Sequence, residues 1–251
     1  MMTEKKQYLP ILEEKFKVRS YHADLNKYLK PHYLTAFLQE AAWKHANHLD
    51  LGYEFMQEQG VAWMLARIYF EMEHYPVWRD EITIRTWPKG TEGLFYVRDM
   101  NIYDSANLII GAATTRWLLV DLKSKRPRIP ALHTDILTVN KDKHAVDRKP
   151  EKLRLTSKTE IDRLIARISD IDLNNHVNSN KYIEWIVNNL AEAFQSNHSI
   201  WSFQMNFLNE VKFGEEIVIY REIDESTGTT LFEGLKDNGS KTCFQAAVRI
   251  K

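Results

Sequence analysis

Asp172-Leu173-Asn174-Asn175-His176-Val177-Asn178 gathers a carboxylate, three carboxamides and an imidazole into one short run. Asp172, Asn174 and His176 alternate, and that set suits hydrolysis. The carboxylate can act as base or nucleophile, the imidazole can carry a proton, and the amide can orient the reacting group. The run stops where a helix is expected to begin, so free backbone N–H groups and the positive end of the helix dipole would face a developing oxyanion. Asp, Asn and Ser are also favoured in turns and at helix caps, so the residue types alone leave a structural turn open as well.

The elements that must position this run follow from hydrophobic periodicity. A helix is predicted over 179–194, with Tyr182, Ile183, Trp185, Ile186 and Leu190 on one side. A strand-like stretch at 164–168 precedes the run. After the helix, Trp201, Phe203, Met205 and Phe207 alternate with Ser202, Gln204 and Asn206, and strands are predicted at 216–223, 229–236 and 241–250. The first half shows the same order. A helical pattern over 33–59 ends at Gly60, followed by strand patterns at 61–74, 81–87, 94–103 and 108–122. Between the halves, residues 138–152 are dense in Lys, Asp and Arg and close with Pro150, which reads as a solvated linker between units at 1–140 and 150–251. A helix followed by four strands, twice over, predicts an α+β fold with one buried helix wrapped by an antiparallel sheet in each half.

The halves also match residue by residue. Arg19, Asp24, Leu25 and Asn26 share the spacing of Arg167, Asp172, Leu173 and Asn174, and Asp80-Glu81-Ile82-Thr83-Ile84 mirrors Glu215-Glu216-Ile217-Val218-Ile219. The copies differ in equipment: Tyr28 and Lys30 stand where His176 and Asn178 stand. One working site suffices, so the half that keeps the imidazole is the catalytic candidate and the other is free to specialise in binding.

The chain resembles the acyl-acyl-carrier-protein thioesterases, the plant plastid enzymes and their bacterial relatives. The likeness runs from about Phe16 to the C-terminus. It rests on Val18-Arg19-Ser20-Tyr21, Leu38-Gln39-Glu40-Ala41 with His45, Tyr75-Pro76-Val77-Trp78-Arg79-Asp80, and the pattern Asp172-x-Asn174-x-His176-Val177-Asn178-x-x-x-Tyr182. The resemblance implies a tandem (double) hot-dog fold. It also implies hydrolysis of a fatty acyl thioester on acyl carrier protein, with Asp172, Asn174, His176 and Glu210 as catalytic residues. The plant enzymes place a cysteine directly after that glutamate, whereas this chain has Val211, so no cysteine nucleophile is expected there. Either Glu210 or Asp172 would activate water, or Asp172 would attack directly; water activation by Glu210 is preferred. The acyl chain is expected in the first half, where Ala62, Met64, Ala66 and Ile68 are either one wall of its slot or plain core. An acyl-CoA thioesterase and a non-catalytic acyl-binding protein are the alternatives.

Composition narrows the rest. The chain has 251 residues, and its 34 basic and 34 acidic residues cancel, so nothing in the global charge favours nucleic acid. No apolar run approaches a bilayer span, so no membrane insertion is expected. The start lacks an apolar secretory segment, and the single cysteine, Cys243, offers no internal disulfide; both point to the cytoplasm. Lys123, Lys125, Arg126 and Arg128 form a basic cluster that reads either as a docking patch for an acidic carrier protein or as a solvated turn. His45 and His48 form an H-x-x-H without an evident third ligand, so surface or partly packed histidines are expected, with no metal. No phosphate-binding or dinucleotide motif is present, and no cofactor is expected. A tandem fold can satisfy its pairing internally, although a homodimer is also open.

Overall fold

The computed structural model describes residues 8–129, 137–190 and 199–251. In the first half these form β1 (Leu12–Lys17), α1 (Pro31–His48), α2 (Tyr53–Glu58), β2 (Val61–Met72), β3 (Glu81–Glu92), β4 (Phe95–Tyr103) and β5 (Ile109–Asp121). The second half contributes β6 (Thr159–Ile165), α3 (Ser179–Asn188), β7 (Ile200–Phe207), β8 (Glu216–Asp224), β9 (Thr229–Lys236) and β10 (Lys241–Ile250). The strands form one antiparallel sheet in the order β1-β3-β4-β5-β2-β7-β10-β9-β8-β6. Read from either edge inward, the two halves present corresponding strands, so the sheet has a pseudo-twofold centre between β2 and β7.

That centre is the structural joint. Arg67 pairs with Asn206, Ile68 with Met205 and Phe70 with Phe203 across it. The Phe70 and Phe203 rings stack with centroids 5.5 Å apart, and both are fully buried in a core that draws on both halves. Leu34, Leu38, Ala41 and Ala42 of α1 and Tyr182, Ile183 and Ile186 of α3 cover that core. Their i, i+3, i+4 spacing lays them along one side of each helix. Truncating Phe203 to alanine should cost about 3–5 kcal/mol of stability, the usual range for a buried phenylalanine. Urea unfolding checks this, and a loss below about 1 kcal/mol would mean the joint tolerates the cavity.

Three expectations are corrected. The single helix predicted over 33–59 is two, because the chain breaks at Leu49–Gly52. Asp50 takes a left-handed φ of 57°, and at Gly52 a Cβ would collide with Asn47 Oδ1. The apolar pattern carries through the break although α1 packs on the main core and Leu49, Leu51 and Met56 pack on a second, smaller one. The second correction adds a strand: β1 joins the edge of the sheet through β3, where its half-exposed residues gave little alternation to read. Third, the segment 138–152 joins the halves with mostly exposed side chains, as expected, but it is also strapped down onto the sheet. The Trp87 indole donates to Lys143 O at 3.0 Å, Arg67 to Pro150 O at 2.8 Å, and Gln204 and Asn206 to Glu151 O at 2.7 and 2.9 Å. Val146 is buried against Tyr69 and Ala112. The part of the second predicted helix beyond residue 190 lies outside the described residues.

Candidate functional site

The Asp172–Asn178 run is a tight loop that delivers its side chains by local hydrogen bonding. The Asp172 N–H donates to His176 O at 2.9 Å and the Asn175 N–H to Asp172 O at 3.0 Å. The Asp172 carboxylate accepts the Asn174 N–H at 2.8 Å. Asn175 takes a φ of 64°, a conformation asparagine adopts more readily than most residues. At the end of the loop the Asn178 side chain caps α3 by accepting the Asn180 N–H at 2.9 Å. The turn chemistry foreseen for these residues is therefore present, and it shapes the loop rather than competing with a site.

Glu210 arrives from the segment between β7 and β8. The Val177 N–H donates to Val211 O at 2.8 Å, which fixes that segment beside the loop. His176 Nε2 then lies 2.8 Å from Glu210 Oε2. Two of the four expected residues are thus in direct contact. Asn174 lines a cavity, and neither His176 nor Glu210 is among the residues that line it. The Asp172 carboxylate stays within its own loop, and among the described residues no hydrogen bond or ion pair joins it to His176 or Glu210. Cys243 is buried, and burial pushes its thiol up to about 11, which leaves it inert as a nucleophile at neutral pH.

This cavity, of about 920 Å³, lies mainly in the first half. Ala42, Trp43 and Ala46 of α1 form one side, Leu49, Leu51 and Met56 lie further along, and Trp63, Tyr96 and Trp117 of the sheet face them. Leu173, Asn174, Asn178 and Asn180 from the second half line the same cavity. Both halves therefore line one cavity, with apolar and polar residues from the first and Leu173 and three asparagines from the second. Of the proposed wall Ala62, Met64, Ala66 and Ile68, only Ala62 lines the cavity. A bulge between Leu65 and Arg67 shifts the register of β2 against β5, and Ile68 beyond it belongs to the core.

Sequence reasoning missed the junction at the entrance. Gln39 of α1 lies 3.0 Å from the Ser179 hydroxyl and 2.9 Å from the Asn180 side chain, and Thr35 Oγ1 lies 2.8 Å from Asn180. Gln39 was visible only as part of a matched motif, and Asn180 as one more polar residue at a helix start. The histidine pair is also corrected. His45 is fully buried, its Nδ1 2.9 Å from Arg98 Nη1 and its Nε2 2.9 Å from Leu9 O. Arginine can only donate, so the ring accepts at Nδ1 and donates at Nε2. Burial, reinforced by the Arg98 charge, pulls its pKa down to about 4. The other histidine, His48, accepts the Leu9 N–H at 2.9 Å.

The internal repeat provides a control inside one chain. The Asp24 N–H donates to Tyr28 O, the Lys27 N–H to Asp24 O, and the Leu29 N–H to Pro76 O at 2.9 Å, which reproduces the second-half loop bond for bond. In that register Tyr28 occupies the place of His176, and Tyr75 the place of Glu210. The first half has the same scaffold without the imidazole and the carboxylate.

Comparison with known proteins places both halves in one family. Residues 11–138 match the model of the acyl-ACP thioesterase N-terminal domain, and residues 153–249 that of the C-terminal domain. An oleoyl-acyl carrier protein thioesterase of Coriandrum sativum chloroplasts is 25% identical over 242 residues, covering 88% of this chain and 66% of that protein. The chain thus spans just under two thirds of that plant relative's length. A crystal structure of an acyl-ACP thioesterase from Bacteroides thetaiotaomicron aligns with a TM-score of 0.89 at 28% identity, covering 96% of this chain and 98% of the other. The 12:0-ACP thioesterase of Umbellularia californica shares the fold, with a TM-score of 0.80 at 20% identity over 98% of both chains. Two domain models that take in nearly everything but the chain ends and the strap leave one assignment: the chain belongs to the acyl-ACP thioesterase family.

Proposed function

We propose that this chain hydrolyses the thioester of fatty acyl-acyl-carrier protein, releasing free fatty acid and the carrier thiol. The observation that carries the reading is the His176–Glu210 contact of 2.8 Å, made from the loop whose Asn174 and Asn178 line a largely apolar cavity. We read the architecture as two hot-dog units, residues 1–140 holding the acyl chain and residues 150–251 holding the catalytic groups. The repeated element order and the reciprocal lining of the cavity support that reading.

In the preferred mechanism Glu210, half-exposed and free to meet water, takes a proton as the water oxygen attacks the thioester carbonyl carbon. The carbon–sulfur bond breaks, and the proton returns to the departing thiolate through His176. A thiolate is already a fair leaving group, so modest acid assistance suffices. Asn174 orients the carbonyl at the mouth, and Asp172 holds the loop through the Asn174 N–H. Direct attack by Asp172 is the weaker route, because one of its oxygens is committed to that turn.

The partner is acyl carrier protein bearing a phosphopantetheine-linked fatty acyl chain. In the basic cluster, Arg128 is tied to Asp121 at 2.5 Å, and Asp121 also accepts the Lys123 and Ser124 N–H groups. That geometry supports the turn reading over the docking one. A cytoplasmic setting is supported by the lone buried thiol. The β2–β7 joint completes the sheet within one chain, so the fold itself does not call for a homodimer. Thiol release from matched acyl-carrier-protein and acyl-CoA substrates tests the proposal. Faster release from the carrier-protein series is expected; a preference for acyl-CoA would move the substrate, and no release from either would favour a binding protein.

A further inference from the structure

Lys236, at the end of β9, is a buried cation that the mechanism does not use. Its side chain is only 7% exposed. The ammonium lies 2.8 Å from the backbone carbonyl oxygen of Glu210 and 3.0 and 2.8 Å from the two Glu215 carboxylate oxygens. Burying a lysine is costly unless its charge is paired and its hydrogens are placed, and here the accepting atoms bracket the segment that carries Glu210. Glu215 in turn accepts the Lys212 N–H at 2.8 Å, so the carboxylate closes the Glu210–Glu215 turn while the ammonium ties both of its ends to β9. On the other side, Val211 O accepts the Val177 N–H, which anchors the segment to the catalytic loop. Glu210 itself has an exposed side chain, and packing contributes little to its position.

The internal repeat shows what the lysine is for. The first half builds the same turn: the Asp80 carboxylate accepts the Val77 N–H at 2.9 Å, as Glu215 does for Lys212. Pairing of β8 with β9 sets Val218 opposite Leu235, and pairing of β3 with β4 sets Thr83 opposite Tyr103. Asp104 therefore occupies the place of Lys236. Its carboxylate serves its own turn by accepting the Ala106 and Leu108 N–H groups at 2.9 Å. Where Tyr75 has replaced the glutamate, the cation is absent too. A lysine needed only to hold the fold together would have been needed in both copies.

We infer that Lys236 is a positioning residue: through the Glu210 carbonyl and the Glu215 carboxylate it holds Glu210 at hydrogen-bonding distance from His176. The inference rests on the proposed role of Glu210. Lys236→Met keeps the length and apolar stem of the side chain and removes the charge and its hydrogen bonds. It should lower kcat about tenfold or more with little change in KM, because ångström-scale misplacement of a reacting group is expensive. Glu215→Gln, a milder change that weakens the anchor of the same cation, should lower kcat in the same direction by less. On a Glu210→Gln background, Lys236→Met should reduce kcat no further, since the lysine acts only through the missing carboxylate.

Amide hydrogen exchange provides the arm that does not depend on turnover. In Lys236→Met the amides of residues 211–214 should exchange faster, while β8 and β9 keep their protection. Unchanged exchange and unchanged kcat in a folded variant would overturn the inference. An equal further loss on the Glu210→Gln background would also overturn it, making the lysine merely structural. Failure of the thioesterase reading looks different: wild-type protein would release no thiol, whatever the exchange experiment shows.

Discussion

Glu210→Gln should lower kcat for acyl-carrier-protein substrates by about 10²-fold or more, the scale of a lost general base, while leaving KM within a few-fold. Glutamine keeps the shape and can still hydrogen-bond His176, so the loss isolates proton transfer from geometry. His176→Ala should fall in the same range. Because the two side chains touch at 2.8 Å, the double variant should be little worse than either single one, as groups that act as a unit are far from additive. Asp172→Ala should also lower kcat about 10²-fold or more, through collapse of the loop that presents Asn174 and His176. Thiol release under saturating substrate measures all four. Full activity of Glu210→Gln would remove the glutamate from the scheme and leave Asp172 as the carboxylate that acts.

The second large effect concerns the slot. Ala42 and Ala46 lie on consecutive turns of α1 and face the cavity between the entrance and Leu49. Ala46→Trp places an indole across that passage without touching the polar entrance. Excluding about three or four methylenes from the cavity forfeits about 0.8 kcal/mol each. The longest accepted chains should therefore lose about 10²-fold in kcat/KM, while chains short enough to stop before residue 46 lose little. Competition among acyl-carrier-protein substrates of graded length reads the profile directly. A folded Ala46→Trp variant with an unaltered profile would place the acyl chain elsewhere. Ala66, by contrast, is a poor site for this test, since it lies beside the β2 bulge and does not line the cavity.

The sequence was sufficient for whatever depends on neighbours along the chain. Alternation marked most strands, because one face of each carries apolar residues to the core, even where, as at Gln204 and Asn206 of β7, the polar face is buried too. The i, i+3, i+4 spacing found α1 and α3, and the polar run before Ser179 announced a loop shaped by its own Asx bonds. The repeat was legible for the same reason: its two copies keep the same local turn chemistry. Contacts between distant segments were decided only in three dimensions. That Glu210 meets His176 depends on Val177 bonding to Val211 across two loops. That the slot of one half opens at the loop of the other depends on how α1 and α3 meet at Gln39 and Asn180. The strap was hidden because it is held through its own backbone carbonyls, at Lys143, Pro150 and Glu151, atoms that every residue possesses and no composition reveals. Lys236 looked like one more strand-end charge, and only burial against the Glu210 carbonyl gives it a role.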